Sequence, residues 1–508
     1  MQVLLLCDGG GSMGVGHVIR SLALAEAAVA GGHDVVVAGH FEGSFVRGQL
    51  AAAQVEVVRL AAPLADHDLQ PVIDLVSERR PDVVHVDSYE APARLRELGE
   101  LVLSNVEDGS FGRRTADVVV DPTLGAELVA RPDDGSTATC LLLRGSRYAP
   151  MRQRVIDARR MSKAIGEVAR RVLVVMGGTD PVGLAPAAVK LLASTGLALE
   201  VTVIAVGENA ERARVAAHGS ALSLSILAPV DDLAAMMSGQ DLVVSAAGTS
   251  VWELCCIGVP MALVWAVDNQ LDGYDRMVAS GAAVGLGGPE LADAERHRDE
   301  RAVGLLRTAL TDSRRRADLA RAGRDVVDGL GAWRVVRTWE QALRVGPAAL
   351  PRSISLTARP AGMDDARLLW QWRNDPTTRA GARSSAEVTW DEHVGWLTAS
   401  LARSDRVLLV VEHALVPVGT VRWDLDGKGE WEVSITVAPE RRGQSLARPV
   451  LDAGEMALSK GTEVTAYLAV VHVDNAASVR LFESSAYVSD LPPDPRGFMR
   501  YRKVAPVA

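Results

Sequence analysis

Residues 1–40 read MQVLLLCDGGGSMGVGHVIRSLALAEAAVAGGHDVVVAGH. An apolar run over residues 3–7 stops at Asp8, and a glycine-rich turn follows through Gly9, Gly10, Gly11, Gly14 and Gly16. Residues 17–30 then place apolar side chains at helical spacing, and residues 34–40 return to a β-branched run. Strand, tight turn, helix and strand make the βαβ unit of a parallel sheet, whose strands are apolar nearly throughout because both faces are covered.

The same alternation continues outward. Further strands are expected at 55–60, 83–87 and 101–106, and a second series at 172–176, 199–206, 222–227, 242–246 and 261–267. The expectation is α/β: two tandem Rossmann-like domains, 1–160 and 161–345, with ligands beyond the carboxyl ends of the strands. Residues 346–352 (GPAALPR) read as a linker with no apolar pattern to tie its two sides into one core. Beyond it the pattern becomes α+β over 353–508, with helices at 364–373, 391–401, 444–459 and 476–484 among mostly antiparallel strands. A fragment starting near Leu350 is therefore expected to fold alone.

The chain has 508 residues, 48% hydrophobic and 23% charged, which suits several globular cores rather than disorder. Its net charge of −10 argues against nucleic acid or an anionic membrane as partner. A phosphate-bearing ligand must then be gripped by local turns and helix N-termini. The four cysteines show no CxxC spacing and no metal-ligand cluster is present, so no metal is expected and a reducing compartment fits. The N-terminus lacks a basic region before its apolar run, and the uncharged apolar run near residues 254–267 is too short to cross a bilayer. A cytoplasmic protein is expected.

His17 opens the first helix directly behind the glycine turn. The helix dipole disfavours an imidazolium there, so a neutral imidazole could take a proton from water. A polar capping residue is the equally weighted alternative. In the second half, Gly177, Gly178 and Thr179 follow one strand, and Ala247, Gly248, Thr249 and Ser250 follow another and open a helix carrying Glu253. Small residues and hydroxyls at a helix N-terminus suit a diphosphate, and a carboxylate one turn later can accept from ribose hydroxyls. Asn269 and Gln270 end the next strand.

Taken together, these residues resemble the UDP-sugar hydrolases of pseudaminic acid biosynthesis, the SpsG-like proteins related to two-Rossmann (GT-B) glycosyltransferases. The resemblance spans about residues 1–345 and rests on Gly14-Val15-Gly16-His17, Asp87-Ser88-Tyr89, Glu107-Asp108, Gly145 with Tyr148 and Arg152, Gly177-Gly178-Thr179-Asp180, Ala247-Gly248-Thr249-Ser250 with Trp252-Glu253, and Asn269-Gln270. It implies that His17, with Asp87 in the catalytic set, activates water against the anomeric carbon. It also implies that Gly14, Gly16, Gly177, Gly178, Thr179, Ala247, Gly248, Thr249, Ser250, Glu253, Asn269 and Gln270 bind the nucleotide. Cys7 departs from the family, whose members often carry a basic residue there that could touch substrate.

In the last third, a strand ending at Val437 runs into Arg442-Gly443-Gln444-Ser445-Leu446-Ala447, a turn whose N–H groups could nest a pyrophosphate. About thirty residues on, Asn475 and Ser478 begin another helix. Either segment alone could be an ordinary capped helix. Together they resemble the GCN5-related N-acetyltransferase superfamily, and Trp372-Arg373-Asn374-Asp375-Pro376 with His393 and Trp396 is similar to the branch acting on nucleotide sugars. The resemblance implies acetyl-CoA as co-substrate, held by Val437, Arg442–Ala447, Asn475 and Ser478. Phe482 stands where a thiolate-protonating Tyr is frequent, which leaves Tyr487 as the nearest substitute. Glu430 or Glu432 could take the ammonium proton, or both could be solvent-facing strand residues.

The joint expectation is a bifunctional nucleotide-sugar enzyme that N-acetylates a UDP-4-amino-4,6-dideoxy-N-acetylhexosamine and hydrolyses the resulting UDP-2,4-diacetamido-2,4,6-trideoxyhexose. Transfer of the sugar to an acceptor, and a nucleotide-sugar-binding scaffold with a decayed acetyltransferase, are the competing readings.

Overall fold

The computed structural model describes residues 1–508 except 12–14, 65–68, 109–110, 130–139, 178–179, 181, 231, 293–298, 346–355, 381–383 and 507–508. The chain forms two compact units: residues 1–127 with 143–336, and residues 128–142 with 337–508.

In the first unit, β1 (Gln2–Cys7), β2 (Asp34–Gly39), β3 (Glu56–Arg59), β4 (Val83–Asp87), β5 (Val102–Val106) and β6 (Val118–Asp121), with β7 (Leu141–Arg144), whose last two residues belong to this unit, form one sheet in the order 3-2-1-4-5-6-7. Pairings from β3 through β6 are parallel. A second sheet joins β8 (Arg171–Val175), β9 (Leu199–Ile204), β10 (Leu222–Leu227), β11 (Leu242–Ala246), β12 (Met261–Val264) and β13 (Ala283–Gly287) in the order 10-9-8-11-12-13, all parallel. Both orders reverse direction beside the first strand, β1/β4 and β8/β11. A ligand crevice opens at such a switch point. The expected α/β class and its tandem halves are what the chain builds. Their central strands are sealed on both faces by helices: Leu4, Leu5, Val84, Val174 and Val244 are all buried.

The second unit carries a mixed sheet of β14 (Thr357–Pro360), β15 (Arg406–His413), β16 (Val416–Gly427), β17 (Glu430–Val437), β18 (Ala466–His472), β19 (Val488–Leu491) and β20 (Phe498–Val504), in the order 14-15-16-17-18-20-19. Only β17/β18 is parallel; the other pairs are antiparallel.

Both Rossmann-like sheets lie almost wholly in the first unit. The helix Gly331–Val345 spans the division, its residues from Arg337 belonging to the second unit. Gln341 donates from Nε2 to the carbonyls of Glu483 (3.0 Å) and Tyr487 (2.9 Å), and Arg344 pairs with Glu483 at 2.6 Å. Trp339 is fully buried. The expected linker, 346–352, lies outside the described residues.

Candidate functional sites

β1 and β4 are neighbours with Cys7 opposite Asp87, so the turn after β1 and the end of β4 meet at the same edge. The helix Gly16–Ala30 starts there, placing His17 in its first turn and Arg20 one turn later on the same face. Asp87 Oδ1 lies 2.7 Å from His17 Nδ1, and Arg20 grips the same carboxylate with both Nε (to Oδ2) and Nη2 (to Oδ1) at 2.8 Å. Arg20 Nη2 is also 2.9 Å from His17 Nδ1. A contact that short between a ring nitrogen and a carboxylate requires a proton between them, and Arg20 cannot accept one. Nδ1 is therefore the donor to Asp87, and in the neutral ring Nε2 carries the free lone pair.

Burial alone would raise the Asp87 pKa, but the charge and hydrogen bonds of Arg20, with the His17 bond, hold it well below the usual carboxylate range. Burial opposes the charge on Arg20, and Asp87 more than restores it. Tyr89 sets the edge of its ring against His17, centroids 4.6 Å apart, and donates its hydroxyl to Asp108 Oδ2 at 2.6 Å. Burial and Asp108 push the Tyr89 hydroxyl upward, so it stays a phenol at neutral pH. Asp8 caps neighbouring loops, accepting from the backbone N–H groups of His40 and Leu64. Cys7 is enclosed in the sheet, where burial pushes its thiol up to about 12. The Cys7 side chain itself is therefore part of the core.

The second half brings its loops to the same place. A Cβ on Gly16 would lie 3.1 Å from Thr249 Cγ2, so this approach of the two loops is tighter than a larger residue readily allows. Thr249 precedes the helix Ser250–Ile257, which follows β11. Gln270 accepts the Ala266 N–H at 2.9 Å and sets its amide against Gly248, 3.7 Å from where a Cβ would stand. Ala247, Gly248 and Ser250 are half-buried. Glu253 is half-buried and has no hydrogen-bonding partner among the described residues; burial pushes its carboxyl above the usual range, with Arg154 and Arg152 opposing. Gly177 takes φ +79° at the end of β8 and is exposed. Gly14, Gly178 and Thr179 lie outside the described residues, as does the side chain of Asn269. Asp180 caps the helix Leu184–Ser194 by accepting from the N–H groups of Leu184 (2.8 Å) and Ala185 (2.9 Å).

In the second unit, β17 pairs with β18 only from Glu430/Ala466 to Val433/Ala469, although β17 continues to Val437 and β18 to His472. The strands part there, leaving a slot whose backbone is not engaged in that ladder. Val437 lies along it, paired only to Gly419 of β16. The turn Arg442–Leu446 follows, with Gly443 at φ +77° and Ser445 at φ +58°, and leads into the helix Ala447–Gly461. Ser445 adopts the left-handed conformation that glycine usually supplies, so the turn keeps its shape despite the substitution. Gln444 is exposed and Leu446 buried.

The Arg442 side chain turns to the protein. Its Nη1 sits 2.7 Å from Asp375 Oδ2, and Nη2 donates to Thr378 Oγ1 at 2.6 Å. The two motifs noted around Asp375 and Arg442 are thus one structure. Asn475 Oδ1 accepts the Ser478 N–H at 3.1 Å and caps the helix Ala476–Ser484.

Tyr487 does not fit the role of thiolate acid. It is fully buried, its ring packs on Phe482 (centroids 5.1 Å), and its hydroxyl donates to Glu455 Oε1 at 2.8 Å. Burial and the Glu455 carboxylate raise its pKa well above the ordinary value. Glu430 is engaged by Arg502 at 3.0 Å. Sequence reasoning missed Arg20 altogether; the signal was an arginine one helical turn after His17.

Beside the two Rossmann-like sheets, residues 355–487 match the family "Acetyltransferase (GNAT) domain". Spore coat polysaccharide biosynthesis protein SpsG of Bacillus subtilis is 24% identical over 350 residues, covering 66% of this chain and 96% of its own length. An uncharacterized protein of Methanocaldococcus jannaschii is 19% identical over 435 residues, 83% of each chain. Among solved structures, MurG of Acinetobacter baumannii is similar at 17% identity and TM-score 0.48, covering 67% of this chain and 99% of its own. Spermidine N-acetyltransferase of Vibrio cholerae, solved with CoA and spermine, is similar at 19% identity and TM-score 0.28, covering 29% and 95%. Among the described residues no helix is long and apolar enough to cross a membrane.

Proposed function

We propose that this chain carries out two steps on one nucleotide sugar. The acetyltransferase unit N-acetylates a UDP-4-amino-4,6-dideoxy-N-acetylhexosamine, and the Rossmann unit hydrolyses the UDP-2,4-diacetamido-2,4,6-trideoxyhexose so formed. The observation that carries the hydrolytic half is His17, oriented by Asp87 through Nδ1 and preceded by Gly16, whose backbone comes close to Thr249. The likeness to a polysaccharide biosynthesis protein supports a nucleotide sugar as the ligand.

His17 Nε2 takes a proton from water as the water oxygen attacks the anomeric carbon. The bond from that carbon to the diphosphate oxygen breaks with its electron pair leaving on UDP, so configuration inverts. Thr249 and Ser250, with the N–H groups opening the helix Ser250–Ile257, face the diphosphate. Glu253, with no hydrogen-bonding partner among the described residues, accepts from the ribose hydroxyls.

In the other unit, acetyl-CoA supplies an acyl group activated as a thioester. The parted strands β17 and β18 hold its extended arm, and the turn Arg442–Ala447 offers N–H groups to its pyrophosphate. Asn475 and Ser478 open the helix that flanks the arm. The sugar's neutral amine attacks the thioester carbon, the carbon–sulfur bond breaks with its electron pair on sulfur, and the proton lost from the nitrogen balances the one that the thiolate takes up to leave as free CoA. Mass spectrometry of products from the UDP-amino sugar, with and without acetyl-CoA, tests the pair of steps. Acetylated free sugar plus UDP supports the reading, and UDP release that requires a further acceptor sinks the hydrolytic half.

A further inference from the structure

We infer that Arg20 is the positioning residue of the His17 site: it neutralises Asp87, so that the carboxylate can orient the imidazole without turning it into an imidazolium. The geometry is specific. Both Asp87 oxygens are taken by Arg20 at 2.8 Å, and Oδ1 alone is shared with His17 Nδ1. A bare, buried carboxylate 2.7 Å from a histidine would favour the protonated ring, which has no lone pair with which to accept a proton from water. A guanidinium locked to the same carboxylate removes most of that attraction, and Arg20 Nη2 itself stands 2.9 Å from Nδ1, where a second positive charge is disfavoured. Asp87 thus keeps its directional role, fixing Nδ1–H, while its charge is spent on Arg20. Asp87 is 1% exposed and His17 8%, so solvent does little of this screening.

The other charged or titratable groups around the ring do not substitute for Arg20; Arg114, whose charge also acts on Asp87, directs its guanidinium to Asn105 and to the carbonyls of Ser88 and Ala91. Tyr89 is a phenol tied to Asp108, and Asp8 is tied to two backbone N–H groups. His85, two residues before Asp87 on β4, is hydrogen-bonded to Ser104 and lowered by burial to about 4, so it is neutral. Arg20 is the cation within hydrogen-bonding distance of the dyad among the described residues.

The consequence for turnover rests on the hydrolytic reading of the site; the state of the imidazole does not. The test therefore has two readouts on the full-length protein. Histidine-selective nitrogen NMR near neutral pH, with the His17 signals assigned by their loss in His17→Gln, should show a neutral ring with Nδ1 protonated and Nε2 bare. Arg20→Met should convert the ring to the doubly protonated form at the same pH. Arg20→Lys, which keeps the charge, should retain the neutral ring and serves if the methionine variant does not fold. In UDP release, Arg20→Met should lower kcat by about 10²-fold near neutral pH at little-changed KM, the scale of losing a general base. That loss should shrink as pH is raised. A neutral, Nδ1-protonated ring in Arg20→Met overturns the inference, and so does a bare Nδ1 in the unaltered protein. Absence of UDP release from the unaltered protein would instead fail the hydrolytic reading while leaving the NMR result to decide the role of Arg20.

Discussion

Asp87 and His17 lie seventy positions apart in the chain and 2.7 Å apart in the fold. The parallel pairing of β1 with β4 sets up that contact: Cys7 is opposite Asp87, and the helix Gly16–Ala30 presents His17 to it. Replacing Asp87 by Asn should keep the shape and lose the charge, leaving Arg20 buried without an anion. Breaking such a buried pair costs about 3–5 kcal/mol, measurable by denaturant unfolding near neutral pH.

That cost should depend on pH in one direction. Burial raises the Asp87 pKa, but Arg20 more than reverses this and holds the folded value below the unfolded one. The unfolded chain thus binds the proton more readily, so the pair's stabilisation is present above the unfolded value of about 3.9 and is lost as pH falls below it. Unfolding curves of Asp87→Asn and the unaltered protein should converge on acidification. A gap that widened toward low pH would contradict the pairing.

Glu253→Gln should weaken UDP binding while leaving turnover of bound substrate nearly intact, because a ribose contact is made about equally before and during bond breaking. Titration calorimetry with UDP, alongside kcat, checks this. A large fall in kcat at unchanged KM would place Glu253 in the chemistry instead.

Ser445→Gly should stabilise the acetyltransferase unit. A left-handed residue with a side chain costs about 1–2 kcal/mol, and the added chain entropy of glycine returns about 0.5–1 of it. A gain of about 0.5–1 kcal/mol in thermal or denaturant unfolding is expected, with acetyl transfer retained because the turn's N–H groups are unchanged.

Tyr487→Phe removes the hydroxyl that serves Glu455. A buried group left short of a partner costs about 1–3 kcal/mol. Acetyl transfer by the folded fraction should persist at its normal rate, since that hydroxyl is enclosed. A lost acetyl-transfer step in a fully folded variant would restore Tyr487 as the acid.

Periodicity was enough to read the two parallel sheets. Strands such as Val83–Asp87 and Leu242–Ala246 are apolar runs bounded by turns, and they fall where expected. Val118–Asp121 and Ala283–Gly287 escaped notice, the first for its brevity and the second because Gly285 and Gly287 interrupt its pattern. The partnership of His17 with Asp87 was legible only as a resemblance. No local pattern states that β1 pairs with β4, and that pairing is what brings the two residues together. The division of the helix Gly331–Val345 between units was not legible either, because its amphipathic face continues unbroken while its partner changes. Gln341 shows the difficulty: as a polar residue late in a helix it reads as solvated, yet it is buried with both amide bonds aimed at the carbonyls of Glu483 and Tyr487.

The most direct measurement uses the full chain, the acetylated UDP sugar and water enriched in heavy oxygen, with no acceptor present. The unaltered protein should release UDP and place the heavy oxygen on the anomeric carbon of the free sugar. His17→Gln should lower that rate by about 10²–10⁴-fold while its acetyl transfer, measured as CoA release from the UDP-amino sugar, is unchanged. UDP release that fails without an acceptor, or a His17→Gln variant that hydrolyses at the normal rate, would contradict the assignment of His17 as the base that activates water.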